Sequence, residues 1–115
     1  MGIEARFGNV KDLNGLEKMI DEKTKLIFCE SIGNPAANVT DIKEISDIAH
    51  KHKIPLFIDN TVPSPYVCRP IEHGADIVIH SLTKYLCGHG TTIGGIIIDS
   101  GNFDWKANNR ENKCD

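Results

Sequence analysis

The chain has 115 residues, 40% of them hydrophobic and 25% charged, which suits one globular domain with one core. Its net charge of −3, from 13 basic and 16 acidic residues, comes without a basic run that would track a nucleic-acid backbone. No apolar stretch approaches the length a bilayer demands, and Met1-Gly2-Ile3-Glu4-Ala5-Arg6 lacks the apolar core of a signal peptide, so neither a nucleic-acid nor a membrane partner is expected.

Arg6 to Val10 is mixed in character and reads as a short strand and turn. Asp12 then suits the N-cap of a helix whose Leu13, Leu16, Met19 and Ile20 share one face, with Gly15 weakening it. Leu26-Ile27-Phe28-Cys29 is a continuous apolar run ending at Glu30, the pattern of a strand covered on both faces. Ser31 to Asn38 is rich in turn formers, and Pro35 biases Asn34 toward extended backbone. Thr40 or Asp41 caps a second helix, Asp41 and Glu44 having the spacing of a capping box, and Ile42, Ile45, Ile48 and Ala49 form its buried face as far as His52-Lys53. Pro55 to Ile58 is the next strand, closed by Asp59. Pro63, Pro65 and Pro70 mark 61–70 as loop. Ile71-Glu72-His73-Gly74 reads as one helical turn stopped by glycine, Ala75 to Ile79 as a strand, and Ile93 to Asp99 as a last strand. Residues 108–115 carry no apolar periodicity and read as a disordered tail beyond a domain of residues 1–107.

Four cysteines, Cys29, Cys68, Cys87 and Cys114, show no paired spacing, so no zinc knuckle or redox pair is expected, and a reducing cytoplasm is the simplest compartment. His50 and His52 lie two apart on a helix and do not share a face, so no metal site is expected there. Strands alternating with helices predict an α/β domain with a mostly parallel sheet and helices on both faces. Ligands of such sheets bind beyond the carboxyl ends of the strands. Asn34, Asp59 and the run Ser81–Lys84 all follow strand ends, so three polar clusters converge on one edge.

The chemistry of that edge centres on His80-Ser81-Leu82-Thr83-Lys84-Tyr85-Leu86-Cys87-Gly88-His89-Gly90. Hydroxyls at Ser81 and Thr83 can hold a phosphate, and the Lys84 amine can attack a carbonyl; these are the parts of a pyridoxal phosphate site. Asp59 can keep a ring nitrogen protonated; equally, it can begin the turn Asp59-Asn60-Thr61 and bond its own backbone. Asn34 can bond a ring hydroxyl or a substrate carboxylate, or serve only the turn. Lys84 can be a surface lysine.

The runs Glu30-Ser31-Ile32-Gly33-Asn34-Pro35, Ile58-Asp59-Asn60-Thr61 and His80 to Tyr85 with Gly88-His89-Gly90 resemble the trans-sulfuration family of pyridoxal phosphate enzymes. Tyr66 to Pro70 and Ile98 to Trp105 bring the likeness nearest to its O-acetylhomoserine sulfhydrylase branch. The resemblance implies the large cofactor domain of a fold-type I aminotransferase-like enzyme. It implies Lys84 as the Schiff-base lysine, Asp59 as partner of the pyridinium nitrogen, Ser81 and Thr83 as phosphate ligands, and Asn34 beside the ring oxygen and substrate. The implied reaction joins O-acetylhomoserine and sulfide or methanethiol, giving homocysteine or methionine and acetate, in a cytoplasmic homo-oligomer. Family members are several times longer and bring further cofactor and substrate ligands from segments not represented here. The 115 residues therefore correspond to an internal piece, expected to turn over little by itself. Cys87 stands where the family usually has a small residue, often glycine. A cystathionine or methionine γ-lyase uses the same groups, and a non-catalytic α/β remnant or binding module is the third reading.

Overall fold

The computed structural model describes residues 2–106. The residues 108–115 read as a tail lie outside them. Helix α1 spans Leu13–Lys18, and Asp12 caps it by accepting from the Gly15 N–H at 2.9 Å. Ahead of it, residues 6–10 run as irregular chain rather than as the expected strand. Arg6 donates to the Met19 carbonyl and pairs with Glu4 and Asp21, which fastens the segment to the end of α1. Helix α2, Ile42–Lys51, starts at Asp41, whose carboxylate accepts from the Glu44 N–H at 3.1 Å. Ile42, Ile45 and Ala49 recur at helical spacing and are buried. Burying one such isoleucine fully stabilises the fold by about 1.5–3 kcal/mol. The helix ends where the His52 N–H donates to the Ile48 and Ala49 carbonyls and Lys53 turns left-handed.

Four strands form one sheet in the order β1-β2-β3-β4: β1 Ile27–Glu30, β2 Leu56–Asp59, β3 Ile77–Ser81 and β4 Gly95–Asp99. The first three run parallel and β4 returns antiparallel. The register Cys29–Ile58–Val78–Ile98 sets one row of side chains across the whole sheet. These residues, with Ile27 and Leu56, face α1 and α2 and make the core together with Ile45, Ala49 and Ile54. The next row, Phe28–Phe57–Ile77, faces the other way, as do Ile79 and Ile97. On this second face Phe28 is 54% and Ile97 71% exposed, so among the described residues α1 and α2 cover one face of the sheet.

The predicted loop 61–70 contains a short helix, α3, at Ser64–Val67. Pro65 sits in its first turn, where a missing N–H costs nothing. Pro70–His73 then makes a 3₁₀ turn stopped by Gly74 at φ +99°. A Cβ on Gly74 would stand 2.3 Å from Ser46 Oγ, so glycine is required there by conformation and by space alike.

The amino ends of β2 and β3 are closed by one cluster. Asp76, 3% exposed, accepts from the Leu56 N–H at 2.8 Å and meets His50 Nε2 at 2.9 Å. Ser46 Oγ lies 3.4 Å from His50 Nδ1 and donates to the Gly74 carbonyl at 2.9 Å. The line Ser46–His50–Asp76 has the order of a hydrolytic triad, but the Ser46 hydroxyl is buried and engaged, so it acts as a clamp. His52, which caps α2, bonds Glu17 instead, so the two histidines turn to different partners.

Candidate active site

Because β1, β2 and β3 are parallel, their carboxyl ends share one edge, and the expected site residues collect there. Glu30, Asp59 and Ile79 are register neighbours at that edge. Asn34 stands four positions past Glu30, and its N–H donates to Glu30 Oε2 at 2.8 Å. The Asn34–Pro35 peptide is cis, and Asn34 is exposed.

Asp59 is half-buried. Its Oδ1 accepts from the Thr61 N–H at 2.9 Å, the local turn bond open to it from sequence. One bond of this kind occupies one oxygen, so a carboxylate oxygen is left for another partner. Asn60, between them, is fully buried and fully used. It accepts from Ser31 Oγ at 2.8 Å, and its Nδ2 donates to the Ser64 carbonyl at 3.2 Å and the Cys68 carbonyl at 2.8 Å. It thereby fastens the ends of β1 and β2 and both ends of α3 to one side chain.

Ser81 closes β3, and its N–H donates to Thr61 Oγ1 at 2.8 Å. This bond joins the Asp59 turn to the lysine segment. A wide π-type turn, Leu82–Leu86, follows, and inside it Lys84 departs from helical backbone at φ −91°, ψ −117°. Lys84 is exposed, and no hydrogen bond holds its amine or the Ser81 hydroxyl among the described residues. Thr83 Oγ1 accepts from the Gly94 N–H at 3.0 Å and lies 3.3 Å from the Gly94 carbonyl, so this hydroxyl also ties β4 to the turn. Past Lys84, the Cys87 thiol is held below its ordinary range, first by the His89 N–H and then by Thr92 and Thr91. Gly88 and Gly90, both at positive φ, let the chain fold around it.

The structure therefore joins Asp59 to Ser81 through Thr61, carries Thr83 and Lys84 onward from Ser81, and sets Asn34 across Glu30 from Asp59. Sequence reasoning passed over Glu30, Asn60 and Thr61. The signal was present in the polar run Asp59-Asn60-Thr61 directly after an apolar strand. Among the described residues one core group stays unmatched: His80, 2% exposed, has no hydrogen-bond partner for Nδ1.

The donor set suits pyridoxal phosphate. It offers an exposed unpaired amine for the aldehyde, an adjacent hydroxyl without a protein partner for the phosphate, and a half-buried carboxylate with an oxygen to spare for the ring nitrogen.

A family model described as Cys/Met metabolism PLP-dependent enzyme matches residues 1–114. The chain is 54% identical over 111 residues to a homocysteine synthase of Schizosaccharomyces pombe, covering 96% of this chain and 26% of that protein. It is 50% identical over 105 residues to an O-acetyl-L-homoserine sulfhydrylase of Leptospira meyeri, covering 91% of this chain and 24% of the relative. Among solved structures it matches a Campylobacter jejuni protein assigned as an O-acetylhomoserine (thiol)-lyase, which carries N'-pyridoxyl-lysine-5'-monophosphate. The TM-score is 0.83 at 50% identity, over 85% of this chain and 24% of the other. A cystathionine gamma-lyase from Lactobacillus plantarum, complexed with L-serine, matches with TM-score 0.78 at 41% identity, over 80% of this chain and 24% of the other. The chain spans about a quarter of the length of the curated relatives it matches.

Proposed function

Since the chain belongs to the Cys/Met metabolism PLP-dependent enzyme family, we propose that residues 1–107 form part of the cofactor domain of an O-acetylhomoserine sulfhydrylase. The reaction breaks the Cγ–O bond of O-acetylhomoserine, releases acetate, and forms a Cγ–S bond with sulfide or methanethiol to give homocysteine or methionine. The observation that carries this reading is that Asp59 and Ser81 end adjacent parallel strands, with Lys84 three residues beyond. Identity of 54% and 50% to a homocysteine synthase and an O-acetyl-L-homoserine sulfhydrylase supports the choice of reaction. The 41% identity to a cystathionine gamma-lyase keeps C–S cleavage as the second reading.

When bound, pyridoxal phosphate supplies an aldehyde that takes an amine and a ring that withdraws electrons from the carbon beside it. Lys84 Nζ is the amine that would hold the aldehyde and afterwards move the α-proton of the substrate. Asp59 holds positive charge at the ring nitrogen. Ser81 Oγ, and Thr83 Oγ1 once its hydrogen turns from the Gly94 carbonyl, bind phosphate oxygens, and Asn34 orients the ring oxygen and the substrate. The partners are an amino acid with a γ-leaving group, a thiol and a second copy of the protein. Free thiols at Cys29, Cys68 and Cys87 suit a reducing cytoplasm, and no helix of the described residues is long and apolar enough to cross a membrane.

The test is to add pyridoxal phosphate to the chain, reduce with borohydride, and map the adduct by peptide mass spectrometry. A single adduct on Lys84, absent in Lys84→Ala, is expected. Labelling scattered over many lysines, or none, would overturn the assignment of this site.

A further inference from the structure

Resting on the cofactor reading above, we propose that Thr61 is a positioning residue: its hydroxyl fixes the spacing between the Asp59 carboxylate and the segment that carries Ser81, Thr83 and Lys84. The argument begins with the ladder between β2 and β3. The Asn60 N–H donates to the Ile79 carbonyl at 2.8 Å. In a regular parallel ladder the next rung runs from the Ser81 N–H to the Asn60 carbonyl. That carbonyl is already taken by the Ser64 N–H at 3.2 Å, at the start of α3. The rung is made by Thr61 Oγ1 instead, which accepts from the Ser81 N–H at 2.8 Å.

A side-chain oxygen thus replaces a main-chain oxygen at the last step before the lysine turn. The same residue holds Asp59 through its own N–H, at 2.9 Å from Oδ1. Thr61 therefore touches both halves of the site within one residue, while Asn60 fixes the backbone on which it sits. Without the hydroxyl, the half-buried Ser81 N–H has no acceptor, and Ser81 to Lys84 lose their reference to Asp59. A buried donor without a partner is costly, so the turn would open more often.

The test compares the full chain with Thr61→Val, which keeps the shape but not the acceptor, and with Thr61→Ser, which keeps the acceptor. Hydrogen exchange at the Ser81 amide is expected to speed up about tenfold in Thr61→Val and to return to the parent rate in Thr61→Ser. The buried amide of Ile45 serves as control and stays unchanged. The fraction of Lys84 captured by pyridoxal phosphate and borohydride is expected to fall several-fold in Thr61→Val and to recover in Thr61→Ser. Should Thr61→Val fail to fold, Thr61→Ala against Thr61→Ser makes the same comparison. Unchanged exchange at Ser81 overturns the proposal. So does faster exchange with unaltered capture at Lys84, because the link then holds the strand but does not position the lysine. A parent chain that captures nothing at Lys84 overturns the cofactor reading, and this role with it. That failure is seen in the parent alone, apart from any variant.

Discussion

At the amino ends of β2 and β3, buried Asp76, Ser46 and the Leu56 N–H, together with His50 at the rim, satisfy one another. At the carboxyl ends of the same strands, Asp59 keeps an oxygen to spare and the Lys84 amine stands in solvent. Both ends hold a carboxylate and a basic nitrogen, so composition does not distinguish them. Burial and pairing do. A buried, paired carboxylate supports the fold because removing its partner strands a charge. An exposed, unpaired amine supports nothing locally and is available for chemistry.

That contrast breaks most readily at Asp76. Asp76→Ala leaves the Leu56 N–H without its acceptor and His50 without its carboxylate, and is expected to cost about 3 kcal/mol of stability in urea unfolding. A loss below about 1 kcal/mol would mean that the amino end is not a clamp. The cysteines sharpen the comparison by reactivity. Burial pushes the Cys29 thiol, on the covered face, up to about 12, while the His89 N–H and its neighbours hold Cys87 at the open end below its ordinary range. Since the thiolate is the nucleophile, raising the pH through 8 favours Cys87 first. Alkylation there is expected to outrun Cys29 by at least about tenfold, read by peptide mass spectrometry. Equal rates would remove the distinction. The smallest effect is expected at the residue that matters most for chemistry. Lys84→Ala should shift stability by less than about 0.5 kcal/mol, because an exposed side chain without a partner is lost. A larger drop in the thermal midpoint would show Lys84 holding the fold.

Local features were readable in the sequence. The caps at Asp12 and Asp41, the strand at Leu56, the glycine stop at Gly74 and the order of the site motifs all depend on residues within a few positions of one another. What escaped depends on partners far apart in sequence. Asp76 read as an ordinary strand residue because its partners, Leu56 and His50, lie twenty and twenty-six positions away. Helix α3 hid among prolines because its anchor is the Asn60 side chain, which no local pattern reports. Phe28 read as covered because an apolar run says only that a face seeks cover, not which chain segment supplies it. The site was legible as a set of residues, while the bonds through Thr61 that give it spacing were not.

The neck between Thr83 and Gly94 bears on how this molecule can diverge. Leu82 N–H meets the Gly94 carbonyl at 2.9 Å and Gly94 N–H meets Thr83 Oγ1 at 3.0 Å, so residues 84–93 leave the sheet and re-enter it at one point. Closing a loop costs only about 0.6 kcal/mol more for each doubling of its length. Insertions or exchanges beyond Lys84, within 88–93, can therefore accumulate in descendants while β4 keeps its register. Lineages can reshape the rim that a substrate meets without disturbing the strand that supports it.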